Sequence, residues 1–336
     1  MKTLSLCMIT KNEQQYLENC LSIAKNYVDE IIITDTGSTD NTKAIAEKYT
    51  KNIFDFKWDD DFSKARNFSL EKATSDWIIV LDADELISEE DFKKIKELIQ
   101  DTEYDAFYLV QRNYSKKKLN SEFTLIDKKS KYTKDYEGYL RNPIMRLFRN
   151  NKEIKYQGMV HEVVDLSVRH RYQYNTLEIP IHHYFEEKTD NTLEKRQLKY
   201  LEIAKKSIDE NQDGRSYATV AAVHYEFKKD YETALKYFKK AIDLGYQINK
   251  NKEGMANSLI KLKQYNKAYE IYKELIKEGY ITSSVANNTA NILLMHKHYK
   301  QALKFFKIAL AKGNPNTKRI NKNIEEINKR LSDDKN

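Results

Sequence analysis

The sequence predicts two folds in one chain: an α/β domain on a mostly parallel sheet, then an all-α array of repeats. Two observations carry this. In the first half, short apolar runs at Leu4–Thr10, Glu30–Thr34 and Trp77–Leu81 alternate with segments of helical spacing. Continuous Ile/Val-rich runs of this kind belong to strands covered on both faces. In the second half, Tyr231-Glu-Thr-Ala234 recurs as Tyr265-Asn-Lys-Ala268 and as Tyr299-Lys-Gln-Ala302, at steps of 34 residues. A fixed period of that size marks stacked helical units, none of which can bury its apolar face alone. The 336 residues suit two domains, each large enough for its own core. The expected division is 1–190 for the α/β domain, 191–216 for a helical linker and 217–336 for the array with its capping helix.

The elements follow in order. Glu13 to Asn26 has Tyr16, Leu17, Cys20, Leu21 and Ala24 on one helical face. A second helix is expected over Thr39 to Tyr49, capped by Thr39 or Asp40. Ser88 and Glu89 open another, and Tyr104 to Gln111 reads as a further strand. The segment Arg112 to Lys155 carries thirteen Lys/Arg against five Asp/Glu and is dense in tyrosine at 114, 132, 136 and 139. It reads as a solvated insertion, or as a flexible loop closing over a ligand. Aromatics among lysines also suit single-stranded nucleic acid, but no matching motif accompanies them, so no nucleic-acid partner is expected. Asn191 to Asn211 has helical spacing. In the array, Gly245, Gly279 and Gly313 repeat at the same 34-residue step, as helix-ending glycines should. From Asn316 a capping helix with a loose tail is expected.

Composition bounds the class. The chain is 40% hydrophobic and 32% charged, with a net charge of +7, which hints at an acidic ligand such as a phosphate. Cys7 and Cys20 are too few for a disulfide framework and fit a reducing compartment. Met1 to Met8 is too short and polar for a signal peptide, and no apolar stretch reaches the ~18–20 residues that cross a bilayer. The expectation is a soluble cytoplasmic protein, with a peripheral place at the inner membrane face as the second option.

Polar residues gather directly after the strands, where ligands bind on such sheets. Asp82-Ala83-Asp84 follows the third run. Two carboxylates one residue apart can share a hard divalent cation with a diphosphate; the competing reading is a helix N-cap cluster. Asp35-Thr-Gly37-Ser-Thr-Asp40 follows the second run, with Gly37 allowing a tight turn and Asp35 able to accept from a base or ribose. Thr10-Lys-Asn12-Glu13 follows the first. Arg66 offers a planar fork for a base edge or phosphate. His182 and His183 follow Ile179-Pro-Ile181, and imidazole there suits a metal. Strand alternation lets one of the two point inward, and either could be the ligand.

Taken together, LCMITKNE, IIITDTGSTDNT, DDDFSKARN and WIIVLDADE resemble family 2 glycosyltransferases of the GT-A fold, in order and spacing, over residues 1 to about 100 and more thinly to about 190. The array resembles tetratricopeptide repeats over Tyr217 to Pro315. The resemblance implies a Rossmann-like mixed sheet with helices on both faces, followed by an all-α tetratricopeptide-repeat domain. It implies a nucleotide-sugar donor, commonly of uridine, held by Thr10, Asn12, Glu13, Asp35, Gly37, Arg66, Asp82 and Ala83. It implies Mn2+ or Mg2+ on Asp84 and Asp82, with a late histidine from His182 or His183. Such enzymes invert the anomeric carbon by direct displacement and need a base. The downstream acidic pair of many members is missing. Gly158-Met-Val-His161-Glu162, after Arg141 to Arg149, resembles instead a subgroup that joins this domain to repeats, including enzymes that glycosylate peptides or proteins. That implies Glu162 as base, His161 as support and Asp84 in the catalytic set. The Gln-x-x-Arg-Trp motif of processive synthases is absent, which implies single-sugar transfer to a protein or peptide held by the repeats. The alternatives are transfer to a glycan or lipid-linked precursor, an inactive scaffold, and nucleotidyl transfer. Intact Asp35, Arg66, Asp82 and Asp84 argue against the scaffold, and a first loop without glycine argues against nucleotidyl transfer.

Overall fold

The computed structural model describes residues 1–117, 123–184 and 190–333. Part of the basic segment and the end of the expected tail lie outside these. The chain divides into two compact units, one ending at Thr192 and the other beginning at Leu193.

The first unit runs β1 (Leu4–Thr10), α1 (Leu17–Ala24), β2 (Glu30–Asp35), α2 (Thr42–Ala46), β3 (Ile53–Asp55), α3 (Phe62–Lys72), β4 (Trp77–Val80), β5 (Glu85–Leu86), α4 (Glu89–Leu98), β6 (Ala106–Ser115), β7 (Phe123–Leu125), β8 (Gly138–Arg149), α5 (Asp165–Val168) and β9 (Tyr174–His183). Its nine strands form one sheet in the order β3-β2-β1-β4-β8-β6-β9-β5, with β7 on β8. The first four strands are parallel. Beyond them β8 is antiparallel to β4 and β6, while β9 is parallel to β6 and antiparallel to β5. The sheet is therefore mixed, as the resemblance implies.

Alternation explains the apolar runs. Leu6, Met8, Ile33 and Ile79 pack with Leu17 and Leu21 of α1 and Phe92 and Ile95 of α4. Their neighbours Cys7, Ile32, Ile78 and Val80 pack on the opposite face with Leu70 of α3 and Val168 of α5. Both faces are covered, so neither may be polar. Cys7 and Cys20 are free and buried in these two separate cores.

Several boundaries differ from the sequence reading. α2 is short and begins at Thr42, where the Asp40 carboxylate accepts from the Thr42 backbone N–H at 2.9 Å. β6 continues to Ser115. The largest correction lies in the basic segment: its later part is not loop, because Gly138–Arg149 is a long strand inside the sheet. Exposed Arg141, Asn142 and Pro143, then four buried residues from Met145 to Phe148, mask the period-two signal. The pairing with β6 slips there: Phe107 faces Leu147 but Tyr108 faces Met145, leaving Arg146 as the extra residue of a bulge.

The second unit is helical: α6 (Asp190–Asn211), α7 (Gly214–Val223) passing into a π-helical turn (His224–Lys228), α8 (Tyr231–Asp243), α9 (Ile248–Lys261), α10 (Tyr265–Lys277), α11 (Ser283–Met295), α12 (Tyr299–Ala311) and α13 (Thr317–Asp333). This is a tetratricopeptide array. The recurring Ala234, Ala268 and Ala302 are wholly buried, where a larger side chain would push helices apart, and Phe238, Tyr272 and Phe306 fill the space beside them. Gly245, Gly279 and Gly313 adopt φ of +74°, +78° and +67°. Each closes a helix with the same bond pair, for example Gly245 N–H to Ile242 O and Tyr246 N–H to Ala241 O. A second set at the same step escapes a reading by composition: Lys229, Lys263 and Lys297, at φ of 55°, 60° and 62°, turn the chain within each helix pair.

Gly254, in the interior of α9, has no room for a side chain, since a Cβ would lie 2.6 Å from the Phe238 ring. The clash should outweigh the ~1 kcal/mol that alanine gains in helix propensity. Gly254→Ala is expected to lower unfolding stability by about 1 kcal/mol and to become stabilising in a Phe238→Leu background. Asp213 caps α7, accepting from the Ser216 N–H and from the Ser207 and Ser216 hydroxyls. Burial opposes its ionised form, but these bonds hold its carboxyl below the usual value. Its stabilising effect is thus complete above the unfolded value of ~3.9 and lost as pH falls below it. Asp213→Ala should cost about 1 kcal/mol at neutral pH, and urea melts should show the gap to wild type shrinking through acid pH.

Candidate active site

Because β1, β2 and β4 are parallel, their carboxyl ends share one edge of the sheet. The first two loops there are stitched together. Asp35, buried at the end of β2, accepts from the N–H groups of Gly37 and Ser38 at 3.0 and 2.8 Å, and its other oxygen lies 3.4 Å from the Thr10 hydroxyl. Gly37 sits at φ +104°, a conformation that L side chains rarely adopt. Asn12 accepts from the Thr39 N–H at 2.8 Å and donates its own N–H to Ser38 Oγ, while the Glu13 N–H donates to Thr42 Oγ1 at 2.7 Å. Thr10, Asn12, Glu13, Asp35 and Gly37 thus form one hydrogen-bonded shelf.

After β4 the chemistry becomes ionic. Asp61 caps α3 through the Lys64 N–H, and one turn later Arg66 is buried. Arg66 donates from Nη2 to Asp82 Oδ1 at 2.8 Å and from Nε to Glu162 Oε1 at 2.5 Å. Its guanidinium carbon is 5.3 Å from the Tyr156 ring centre. Asp82 Oδ2 accepts from Arg146 Nη2 at 2.9 Å, and Arg146 also reaches Glu85 at 3.4 Å. Glu85 Oε2 in turn accepts from the Asp82 N–H. Burial disfavours the Asp82 charge, yet the two guanidiniums hold its carboxyl far below the usual carboxylate range. Glu85 is deeper, and burial pushes its carboxyl up despite Arg146. Glu162 is presented by a loop closed by pairing of Gln157 with Val163 and tied to α3 through the Phe62 N–H and Met159 O. His161 in that loop has φ 53°. Ala83 is buried in the core and spaces the two aspartates apart.

The tandem histidines separate. His183 shares the face of Ile179 and Ile181, and its Nε2 lies 3.4 Å from Asp84 Oδ2. Burial would lower its pKa, but Asp84 raises it overall. His182 turns the other way, sharing a hydrogen bond of 2.7 Å between Nδ1 and the Tyr114 hydroxyl and stacking on Tyr114 and Tyr132. Burial drives its pKa down to about 4. His182 sits in a tyrosine cluster away from Asp84, and each Asp82 oxygen accepts from an arginine. Among the described residues no three His, Cys, Asp or Glu side chains converge to hold a metal. Asp84 and His183, close together at the strand ends, are the residues that would offer ligands to a divalent ion there. Arg146, Glu85 and Tyr156 were not singled out from sequence; Glu85 directly follows the carboxylate pair, but nothing local marks the other two.

The sheet order and the charged cluster beyond its parallel strand ends define the first unit as a GT-A-like α/β domain. The family model described as glycosyl transferase family 2 matches residues 5–160, most of this domain. A TPR repeat-containing protein of Synechococcus elongatus is 36% identical over 168 residues, covering 50% of this chain and 37% of that protein. The SPbeta prophage-derived glycosyltransferase SunS of Bacillus subtilis is 26% identical over 250 residues, covering 72% and 53%. The chain therefore spans about half or less of these relatives' length. Among solved structures, S. aureus TarS 1-349 is similar at 17% identity, covering 83% of this chain and 92% of that one, with a TM-score of 0.45. No helix among the described residues is long and apolar enough to cross a membrane.

Removing Arg146 would strand Asp82 and Glu85 without their shared cation. Arg146→Met is expected to cost about 3–5 kcal/mol in urea unfolding, and pairing it with Glu85→Gln should recover part of the loss.

Proposed function

We propose that this chain is an inverting glycosyltransferase that moves one sugar from a UDP-sugar to a protein or peptide recruited by its repeats. The observation that supports this most is the gathering, within a family 2 glycosyltransferase domain, of the Thr10–Glu13 and Asp35–Thr42 shelf and the Arg66–Asp82 pair at one sheet edge. Residues 1–190 would act on the donor, 191–216 join the domains, and 217–336 recruit the acceptor, since repeat arrays bind peptides along a concave face.

In this reading the shelf of Thr10, Asn12, Glu13, Asp35 and Gly37 takes the base and ribose, with Asp82 and Ala83 beside it. Asp84 and His183 would hold Mn2+ or Mg2+, which when bound neutralises charge on the diphosphate. The acceptor atom attacks the anomeric carbon from the face opposite the diphosphate. The bond from that carbon to the diphosphate oxygen breaks, and the nucleoside diphosphate leaves with the electron pair. The acceptor's proton passes to Glu162, with His161 as its support. Glu162 is ion-paired to Arg66, so one of its oxygens is already engaged before an acceptor arrives. Arg66 also has a buried Nη1 with no partner among the described residues. Donor diphosphate can therefore draw Arg66 away and free Glu162 only when a donor is in place.

Calorimetric titration with UDP, with and without Mn2+, tests the donor site. Asp84→Ala should weaken Mn2+-dependent UDP binding by ~10-fold or more; unchanged binding removes Asp84 from the site. Glu162→Gln should keep UDP binding within about twofold while acceptor-free hydrolysis of a UDP-hexose falls ~100-fold. Equal turnover would discard the base. Label from a UDP-sugar that enters extracted lipid or glycan rather than protein would favour the precursor alternative.

A further inference from the structure

Glu85, Gln111, Asn113 and His183 are joined in a line that no role above uses. In the parallel pairing of β6 with β9, Asn113 stands beside His183, and Gln111, two residues earlier, shares its face. Gln111 Nε2 donates to Glu85 Oε1 at 2.5 Å. Gln111 Oε1 accepts from Asn113 Nδ2 at 3.3 Å and from Asn142 Nδ2 at 3.0 Å. Asn113 Oδ1 lies 2.5 Å from His183 Nδ1. A side-chain amide has one donating end and one accepting end, so the orientation of each fixes that of the next. The line starts at Glu85, which is 1% exposed and already accepts from the Asp82 N–H and from Arg146. Glu85 therefore takes the NH2 end of Gln111. Gln111 shows its carbonyl to Asn113, and Asn113 shows its carbonyl to the ring.

We propose that Glu85, Gln111 and Asn113 form an amide relay that fixes neutral His183 as its Nδ1–H tautomer, so that the Nε2 lone pair faces the Asp84 side and is ready for a divalent cation. The proposal rests on Asp84 and His183 being the metal-holding pair. The opposite tautomer would set a bare Nδ1 against the Asn113 carbonyl. Turning Asn113 to relieve this would bring its carbonyl against that of Gln111. Turning Gln111 as well would aim its carbonyl at the buried Glu85 carboxylate and abandon Asn142. Asp84 alone favours the opposite tautomer, because Nε2–H could donate to it. In the neutral ring the relay removes that option and turns the Nε2 lone pair toward Asp84. Asn113, Gln111 and Glu85 are positioning residues here, acting only through the ring.

Nitrogen-15 spectra of histidine-labelled full-length protein test this, recorded as the pH is raised until the His183 signals stop moving and the ring is neutral. His183 is assigned by the signal lost in His183→Ala. The expected result is Nδ1–H in the wild type and in Asn113→Asp, whose carboxylate still accepts from the ring, and Nε2–H in Asn113→Leu. Mn2+ affinity, read by electron paramagnetic resonance with UDP present, should fall ~10-fold or more in Asn113→Leu and persist in Asn113→Asp. A wild-type ring in the Nε2–H form overturns the relay without need of any variant. So does Asn113→Leu with both the Nδ1–H signal and wild-type Mn2+ affinity. If His183→Ala leaves Mn2+ affinity unchanged, the metal pair fails and takes the relay's purpose with it, while a wild-type Nδ1–H signal still supports the tautomer lock itself.

Discussion

The domain is organised around one carboxylate held between two buried arginines. Asp82 leaves the end of β4 and receives a guanidinium on each oxygen, from Arg66 of α3 and Arg146 of β8. Each arginine then touches a further acid, Glu162 or Glu85. Charges taken out of water in this way are tolerable only when every partner is present. The network therefore demands that α3, the Asp82–Glu85 turn, the bulge of β8 and the loop before α5 all sit in one arrangement. The hydrophobic faces build the sheet, but this ionic knot sets where the strand ends and loops meet.

Under the proposed function, the same knot would separate binding from reaction. A guanidinium shared between Asp82 and Glu162 is stable while no stronger anion is near. A diphosphate offers two charges and several acceptor oxygens, so it competes well for the fork. Arginine suits such an exchange better than lysine, because its planar donors can release one partner while keeping another.

Much of this was legible from the chain. Buried parallel strands announced themselves at Leu4–Thr10, Glu30–Thr34 and Trp77–Leu81, because both faces are covered and the runs are mostly apolar. The repeats were legible because alanine, aromatic and glycine share one step. The strand Gly138–Arg149 was not, because Arg141, Arg146 and Arg149 interrupt its apolar pattern and its bulge breaks the period. Arg146 escaped for the same reason: a bulge is a property of a strand pair, and no single segment shows it. The choice between His182 and His183 could be framed by alternation but needed the partner strands to decide it. The repeated lysines at positive φ stayed hidden because lysine is not the residue that such a turn prefers.

β9 closes the sheet's far side against β6 and β5, and His183 stands at its end, 99 residues after Asp84. The other parts of the donor edge come from earlier in the chain: the shelf from residues 10–42, the first arginine at 66, the second at 146. During synthesis the shelf can assemble while the Asp84 side still lacks its imidazole, since pairings this distant in sequence form late. A nascent or truncated chain would thus present a place for a nucleotide without the partner that completes Asp84. If Asp84 and His183 act together as proposed, the position of β9 withholds the full site until the whole domain has been made.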